Sequence, residues 1–357
     1  MQILSDSKVS IETAAKLILA SPKSAFFLQG APGVGKTFAT RAALEAAGYS
    51  VIIVDVQNIS PDDSASIPIV KDGTLTFAGH EKWVPRPRLA IILDEFPKAA
   101  PNVCNTFLPL IFGRPRRFLE HEYPEDTIVV LTGNSAEFRT GDVMKPHIRN
   151  RIVELNIADP TPQSMLKVAL DLGWDSRVIN WAQNTPAALV SYDAEMVTKP
   201  DTENVDRYFG YDPRFPQRPF VSLRALESVS ILLNDFTEAG IDPFEARAAF
   251  AGTMGERATQ SFLADLRKTG EFVPFSTILA NPMTAKIPSS LYDQRMVALQ
   301  CAAKTDTKNW ETVLNYTNRL HAEVQQVFSL NVMIKTELVS KLARFPRWNQ
   351  MIQKATS

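Results

Sequence analysis

Five short runs of branched and aromatic apolar residues recur through the first part of the chain: Ala25 to Gln29, Val51 to Val56, Leu89 to Leu93, Thr127 to Thr132 and Arg151 to Ile157. Stretches with helical spacing of apolar positions separate them. The third run, Leu89-Ala90-Ile91-Ile92-Leu93, is apolar at every position. That is the pattern of a strand covered on both faces of a parallel sheet. Strands alternating with helical crossovers predict an α/β fold, a three-layer αβα core on a parallel five-stranded sheet. The alternation stops at Asp159-Pro160-Thr161-Pro162. Beyond it the spacing is mostly helical. Tyr192 to Pro219 is polar and proline-containing and reads as loop. Ser222 then suits an N-cap and Gly240 a stop for the helix between them. A last helical block starts near Gly255 and is punctuated by Pro274, Pro282 and Pro288. The expected organisation is an α/β core over 1–158, a linker and helical lid over 159–254, and a helical region over 255–357.

The first run leads directly into Gly30-Ala31-Pro32-Gly33-Val34-Gly35-Lys36-Thr37, and Phe38 to Ala47 follows with helical spacing. Strand, glycine loop and helix in this order make a phosphate-binding P-loop. The glycines let backbone N–H groups converge on nucleotide phosphates, and the new helix adds its positive end. The expected ATP-binding set is Gly30, Ala31, Pro32, Gly33, Val34, Gly35, Lys36, Thr37 and Phe38. Lys36 would reach the β- and γ-phosphates, and the Thr37 hydroxyl would ligate Mg²⁺.

Two further strand ends carry polar groups suited to such a site. The third strand delivers Asp94-Glu95 to the sheet edge where ligands bind in open α/β folds. Asp94 can hold Mg²⁺ through water, and Glu95 can orient and deprotonate the attacking water. The fourth delivers Asn134 in Leu131-Thr132-Gly133-Asn134, placed to position that water or to sense the γ-phosphate; an Asn that merely makes the turn fits the same residues. Before the fifth strand, Pro146-His147-Ile148-Arg149-Asn150-Arg151 offers two arginines. Either can serve as an arginine finger toward a neighbouring protomer, or stand as an ordinary solvated residue. The stretch Phe112-Gly113-Arg114-Pro115-Arg116-Arg117-Phe118 precedes an expected hairpin. It can grip a polypeptide or a nucleic acid, or be a plain connection.

Composition narrows the partners. With 38 Lys and Arg against 39 Asp and Glu, the net charge of −1 provides no global field for nucleic acid. The two cysteines, Cys104 and Cys301, lie far apart and suit a reducing compartment without a disulfide. The four histidines are scattered, with no spacing for a metal site. The N-terminus has no basic-then-apolar leader and no run approaches a membrane span, so a cytoplasmic location away from membranes is expected.

P-loop, Asp-Glu strand, Asn strand end, arginine before the fifth strand and helical lid, in this order, resemble the AAA+ ATPases. Within them the chain is similar to the MoxR-like ATPases of the dynein-related group. "RLAIILDEFPKAAPNVCNTFLPLIFGRPRRF", "VVLTGN", "SLRALESVSILL" and "AGTMGERATQSFLADL" carry the likeness. The resemblance implies sensor 1 at Asn134 and an arginine finger at Arg151, with Arg149 second. It implies sensor 2 at Arg224 on the lid helix. Two positions depart from the group: Asn150-Arg151-Ile152 stands for Asp-Arg-Phe, and Ser66-Ile67-Pro68 for a Gly-x-Pro motif. The implied protein is a ring-forming ATPase, a homo-oligomer and by resemblance a hexamer, with ATP and Mg²⁺ as cofactors, that remodels or activates a protein target. Only a short helical segment precedes Gly30, so target recognition is expected from a separate chain; relatives pair with a partner carrying a von Willebrand factor A domain. The alternative is a nucleic-acid motor, or the nucleotide-driven subunit of a McrB-like restriction system. A non-hydrolysing scaffold fits less well with an intact Asp94-Glu95 pair. A P-loop small-molecule kinase would not need Asn134, Arg151 and Arg224 together.

Overall fold

The structure, a computed structural model, describes residues 8–59, 67–78, 81–119, 121–135, 144–191 and 209–356. The chain divides into two compact units, Met1–Asp159 and Pro160–Ser357.

In the first unit, β1 (Lys8–Val9), β2 (Ala25–Gly30), β3 (Ser50–Asp55), β6 (Leu89–Asp94), β9 (Ile128–Asn134) and β10 (Val153–Ile157) form one parallel sheet in the order β1-β10-β2-β9-β6-β3. The five expected strands are all present, and Lys8–Val9 adds a sixth beside β10. Two residues are too few to show a period, so this strand had no sequence signature.

Alternate residues of the central strands enter two layers. Ala25, Phe27, Leu89, Ile91, Leu93, Val129 and Leu131 pack with Val103, Cys104, Phe107, Leu110 and Ile111 of α3 (Pro101–Phe112). The opposite face meets α1 (Ile11–Ala20) and α2 (Lys36–Ala46), which bury Ala14, Ile18 and Leu44. Leu89 to Leu93 are 0% exposed, as a strand covered on both faces must be. Each large apolar side chain so buried contributes about 1.5–3 kcal/mol.

Two hairpins leave the sheet. β4 (Ile67–Lys71) and β5 (Thr74–Ala78) pair antiparallel through Asp72-Gly73, both at positive φ (52° and 74°), as a two-residue hairpin turn demands. Ser66 of the Ser-Ile-Pro departure lies outside the described residues; Ile67 and Pro68 begin β4. β7 (Arg117–Phe118) pairs with β8 (His121–Glu122), so the hairpin expected there forms. Its basic-aromatic residues, however, are partly internal. Phe118 stacks on Phe107 (centroids 4.7 Å) and packs tilted against Trp83 (4.5 Å). Arg116 is buried and donates to the carbonyls of Pro22 (3.0 Å), Lys23 (3.0 Å) and Thr127. Burial draws its guanidinium down to about 10, with Arg114 adding to the effect, which still leaves it charged at neutral pH. Arg116 and Phe118 therefore hold the hairpin to the core and are not free to grip a substrate.

The second unit is helical. The break at Asp159-Pro160 is a helix start: Thr161 and Ser164 cap each other's backbone N–H groups ahead of Pro162–Asp171. Of the expected Tyr192-to-Pro219 loop, residues 192–208 lie outside the described set, and 209–219 contain neither helix nor strand. Ser222 caps Leu223–Glu238 by accepting from Ala225 N (3.2 Å), and Gly240, at φ 72°, follows that helix's end. One continuous apolar cluster runs from Met165 to Trp348 and includes Phe262, Leu263 and Leu266. Cys301 belongs to this cluster, whereas Cys104 lies in the core of the first unit.

Asp175, 0% exposed, accepts from Arg177 N (2.9 Å) at the start of Ser176–Asn184 and binds the Arg177 guanidinium through both oxygens (2.9 and 2.8 Å). Arg177→Ala strands that buried carboxylate. It is expected to destabilise the chain by about 3–5 kcal/mol, read as a lower urea midpoint at unchanged slope.

Candidate nucleotide site

Sheet order brings the polar strand ends together. β2, β9 and β6 are neighbours and parallel, so their C-terminal ends open on one edge. Gly30 lies opposite Asn134 across β2 and β9, while Leu93 lies opposite Leu131 across β6 and β9. The loop after Gly30, the acids after Leu93 and the amide of Asn134 converge there for that reason. This is the ligand-binding edge of an open parallel sheet.

The loop itself turns on Gly33 (φ 77°) and Gly35 (φ 86°), conformations that cost a side-chain-bearing residue about 1–2 kcal/mol. Gly35 is also the N-cap of α2, and no side chain caps that end. The first-turn N–H groups of α2 are thus left to an anion. Lys36 is buried. Its ammonium donates to Gly30 O (3.2 Å), Ala31 O (2.9 Å) and Asn134 Oδ1 (3.2 Å). The ammonium therefore stands over the loop at the level of the strand ends. Phe38, by contrast, is 47% exposed on α2.

Thr37 Oγ1 donates to Asp94 Oδ1 at 2.6 Å. The hydroxyl and the carboxylate expected to serve Mg²⁺ are therefore in contact. Hard oxygen donors with a single carboxylate fit Mg²⁺, which takes few protein ligands and completes its shell with water and phosphate. Among the described residues no group of three or more His, Cys, Asp or Glu is placed to hold a metal ion.

Thr132 was not anticipated. It is buried, donates to the same Asp94 Oδ1 and accepts from Glu95 N (3.3 Å). Asp94 thus accepts from two hydroxyls on one oxygen, and the backbone of Glu95 is pinned at its left-handed φ of 52°. The signal was present in the Leu131-Thr132-Gly133 strand, but using it required the β6–β9 register.

The Glu95 carboxylate has two side-chain neighbours. Asn134 Nδ2 donates to its Oε1 at 3.5 Å, and Lys98 Nζ lies 2.8 Å from Oε2. That second contact is ionic without hydrogen-bond geometry, so Oε2 stays buried and accepts no hydrogen bond. Asn134 thus touches both Lys36 and Glu95, more than a turn-making Asn requires.

The arginines lie elsewhere. Arg149 ends α4 (Pro146–Arg149) and pairs with Glu154 (3.0 Å), which also accepts from Gln29. Arg151 is exposed, with its guanidinium 5.3 Å from the Phe112 ring centre and, among the described residues, no ion pair. Val153, the first residue of β10, is opposite Phe26, about four strand steps or about 13 Å from the level of Gly30, and Arg151 lies two residues before it, at the N-terminal end of the strand. Phe112 agrees with this: α3 starts after the acidic strand end and runs back about 18 Å to it. Arg151 is thus at the opposite sheet edge from its own P-loop. Arg224 belongs to the second unit, exposed in the first turn of Leu223–Glu238.

A parallel sheet with a P-loop on its central strand and an acid pair on the next strand but one defines a P-loop nucleotide-binding domain. More closely, residues 25–152 match the AAA domain of the dynein-related subfamily. No curated protein matches the chain. Solved structures with similarity include a Cytophaga hutchinsonii protein described as an ATPase (14% identity, 72% of this chain and 89% of that one, TM-score 0.33). Others are the Thermotoga maritima RuvB Holliday junction branch migration motor (14%, 77% and 75%, 0.34) and Brucella abortus NtrX in complex with ADP (11%, 93% and 66%, 0.36). An AAA domain implies nucleotide binding. Among the described residues no helix is long and apolar enough to cross a membrane.

Proposed function

We propose that this chain is an Mg²⁺-dependent ATPase of the AAA+ type that works as a homo-oligomeric ring and remodels a protein target. The observation that carries the reading is the convergence of Lys36, Thr37, Asp94, Glu95 and Asn134 on one sheet edge through direct contacts. Gly30 to Phe38 bind the nucleotide, with Lys36 on its β- and γ-phosphates. Thr37 and, through water, Asp94 hold Mg²⁺, which when bound neutralises phosphate charge. Glu95 takes the proton of the attacking water, whose place Asn134 fixes.

The ring follows from Arg151. It is too far from its own P-loop to touch phosphate, so as a finger it acts on the site of a neighbouring copy. Arg149 is the weaker candidate because Glu154 already engages it. Arg224, exposed at the start of its helix, is the sensor 2 residue of a lid over 159–254, with 255–357 as an accessory helical region. The resemblance to MoxR-like ATPases further suggests a hexamer and a partner with a von Willebrand factor A domain, which affinity capture with ATP present would identify.

The test is phosphate release from Mg-ATP, with and without DNA, beside the mass of the assembly. Turnover that rises with protein concentration and ignores DNA is expected. DNA stimulation of tenfold or more would move the assignment to a nucleic-acid motor. Lys36→Ala should weaken nucleotide binding about 10–100-fold, the value of one or two charged hydrogen bonds, measured with a fluorescent ATP analogue. Unchanged affinity would remove the P-loop from the binding site.

A further inference from the structure

The ammonium of Lys98 has no part in the reading above, yet it is the one cation within ion-pair distance of Glu95 among the described residues. Both side chains are more than two-thirds buried (26% and 30% exposed). A surface pair at this spacing would contribute little. Here the backbone between the two groups is a single tight turn, Phe96–Lys98, closed by Lys98 N donating to Glu95 O (3.0 Å). The turn fixes the separation of the two backbones from which the paired side chains reach each other. The Glu95 backbone is fixed at its other end by Thr132, so the carboxylate has two side-chain neighbours that set its direction, Asn134 on Oε1 and Lys98 on Oε2.

The two neighbours differ in kind. Asn134 offers a long hydrogen bond. Lys98 supplies charge from off the hydrogen-bonding direction, so Oε2 remains a buried anionic oxygen with no donor on it. A carboxylate oxygen buried without a hydrogen bond is costly unless an opposite charge lies close by. The arrangement keeps the negative charge of Glu95 at the strand end.

We propose that Lys98 is a positioning residue for Glu95, holding its carboxylate at the strand end and balancing its charge by ionic contact. The proposal rests on Glu95 being the base. Lys98 acts through Glu95 and not on the nucleotide, so its loss changes turnover and not affinity.

The test uses the full chain and four variants: Lys98→Met, Lys98→Arg, Glu95→Gln and the Glu95→Gln/Lys98→Met double. Steady-state phosphate release gives kcat and KM, and a fluorescent ATP analogue gives nucleotide affinity. Lys98→Met is expected to lower kcat about 10–100-fold, the scale of a small misplacement of a reacting group, with affinity within about twofold. Retained affinity shows that the variant is folded at its P-loop. Lys98→Arg should recover most of kcat, because it restores the charge on a stem of similar reach. Adding Lys98→Met to Glu95→Gln should change nothing further. A Lys98→Met protein with wild-type or higher kcat, beside an inactive Glu95→Gln protein, overturns the proposal and leaves Glu95 as the base. A Glu95→Gln protein with near-normal kcat removes the base assignment itself, and Lys98 with it.

Discussion

Arg151→Ala should bind nucleotide as the wild type does and hydrolyse it about 10³–10⁵-fold more slowly, the range measured for loss of an arginine finger. Binding survives because Arg151 stands at the opposite edge of the sheet from the loop that holds the phosphates. Hydrolysis fails because the guanidinium that stabilises the transferring phosphoryl group in the adjoining copy is gone. Mixing supplies the decisive readout. An Arg151→Ala subunit retains Glu95, and a Glu95→Gln subunit retains Arg151, so a mixed ring contains interfaces with both groups intact and should regain activity that neither protein has alone. Arg149→Ala, which breaks only the pair with Glu154, should keep most of its turnover. An inactive Arg149→Ala protein beside an active Arg151→Ala protein would reverse the assignment. Turnover per subunit that holds constant down to monomer concentrations would end the shared-site idea.

Much of the first unit was visible in the chain because its signals are local. A strand covered on both faces must be apolar at each position, and Leu89 to Leu93 is. A phosphate loop needs its glycines and its Lys-Thr in one contiguous stretch. An acid pair directly after a buried strand announces the ligand edge. What stayed hidden depends on partners distant in sequence. Arg116 looks like a surface cation until its acceptors are known, and those are the carbonyls of Pro22, Lys23 and Thr127. Thr132 becomes a donor to Asp94 only in the β6–β9 register. Arg149 and Arg151 are alike as residues, and the Glu154 pair that separates them comes from the next strand. Lys98 is different. Its partner is three residues away, but the contact needs the tight turn through Pro97, which no apolar period marks. The Asp72-Gly73 turn was a readable hairpin signal, flanked by apolar and β-branched residues on both sides.

Glu95→Gln should retain nucleotide binding and lose about 10²–10⁴-fold in turnover, the span of a positioned general base. The substitution is nearly isosteric. It keeps an acceptor at Oε1 for Asn134 and leaves Asp94, Thr37 and Lys36 untouched, so the phosphate and Mg²⁺ contacts persist. What it removes is the negative charge of the carboxylate beside Lys98, and with it the general base. Asp94→Asn should behave differently, because Asp94 meets the Thr37 hydroxyl expected on Mg²⁺. Its loss should appear as a higher Mg²⁺ requirement, partly overcome by adding the ion, whereas no concentration of Mg²⁺ should restore Glu95→Gln. The two acids are adjacent in the chain but point to different tasks, since hydroxyls surround one and an amide and an ammonium flank the other. A magnesium titration of turnover on both variants separates the tasks. Rescue of Glu95→Gln by magnesium would place Glu95 on the metal and leave the water without its base.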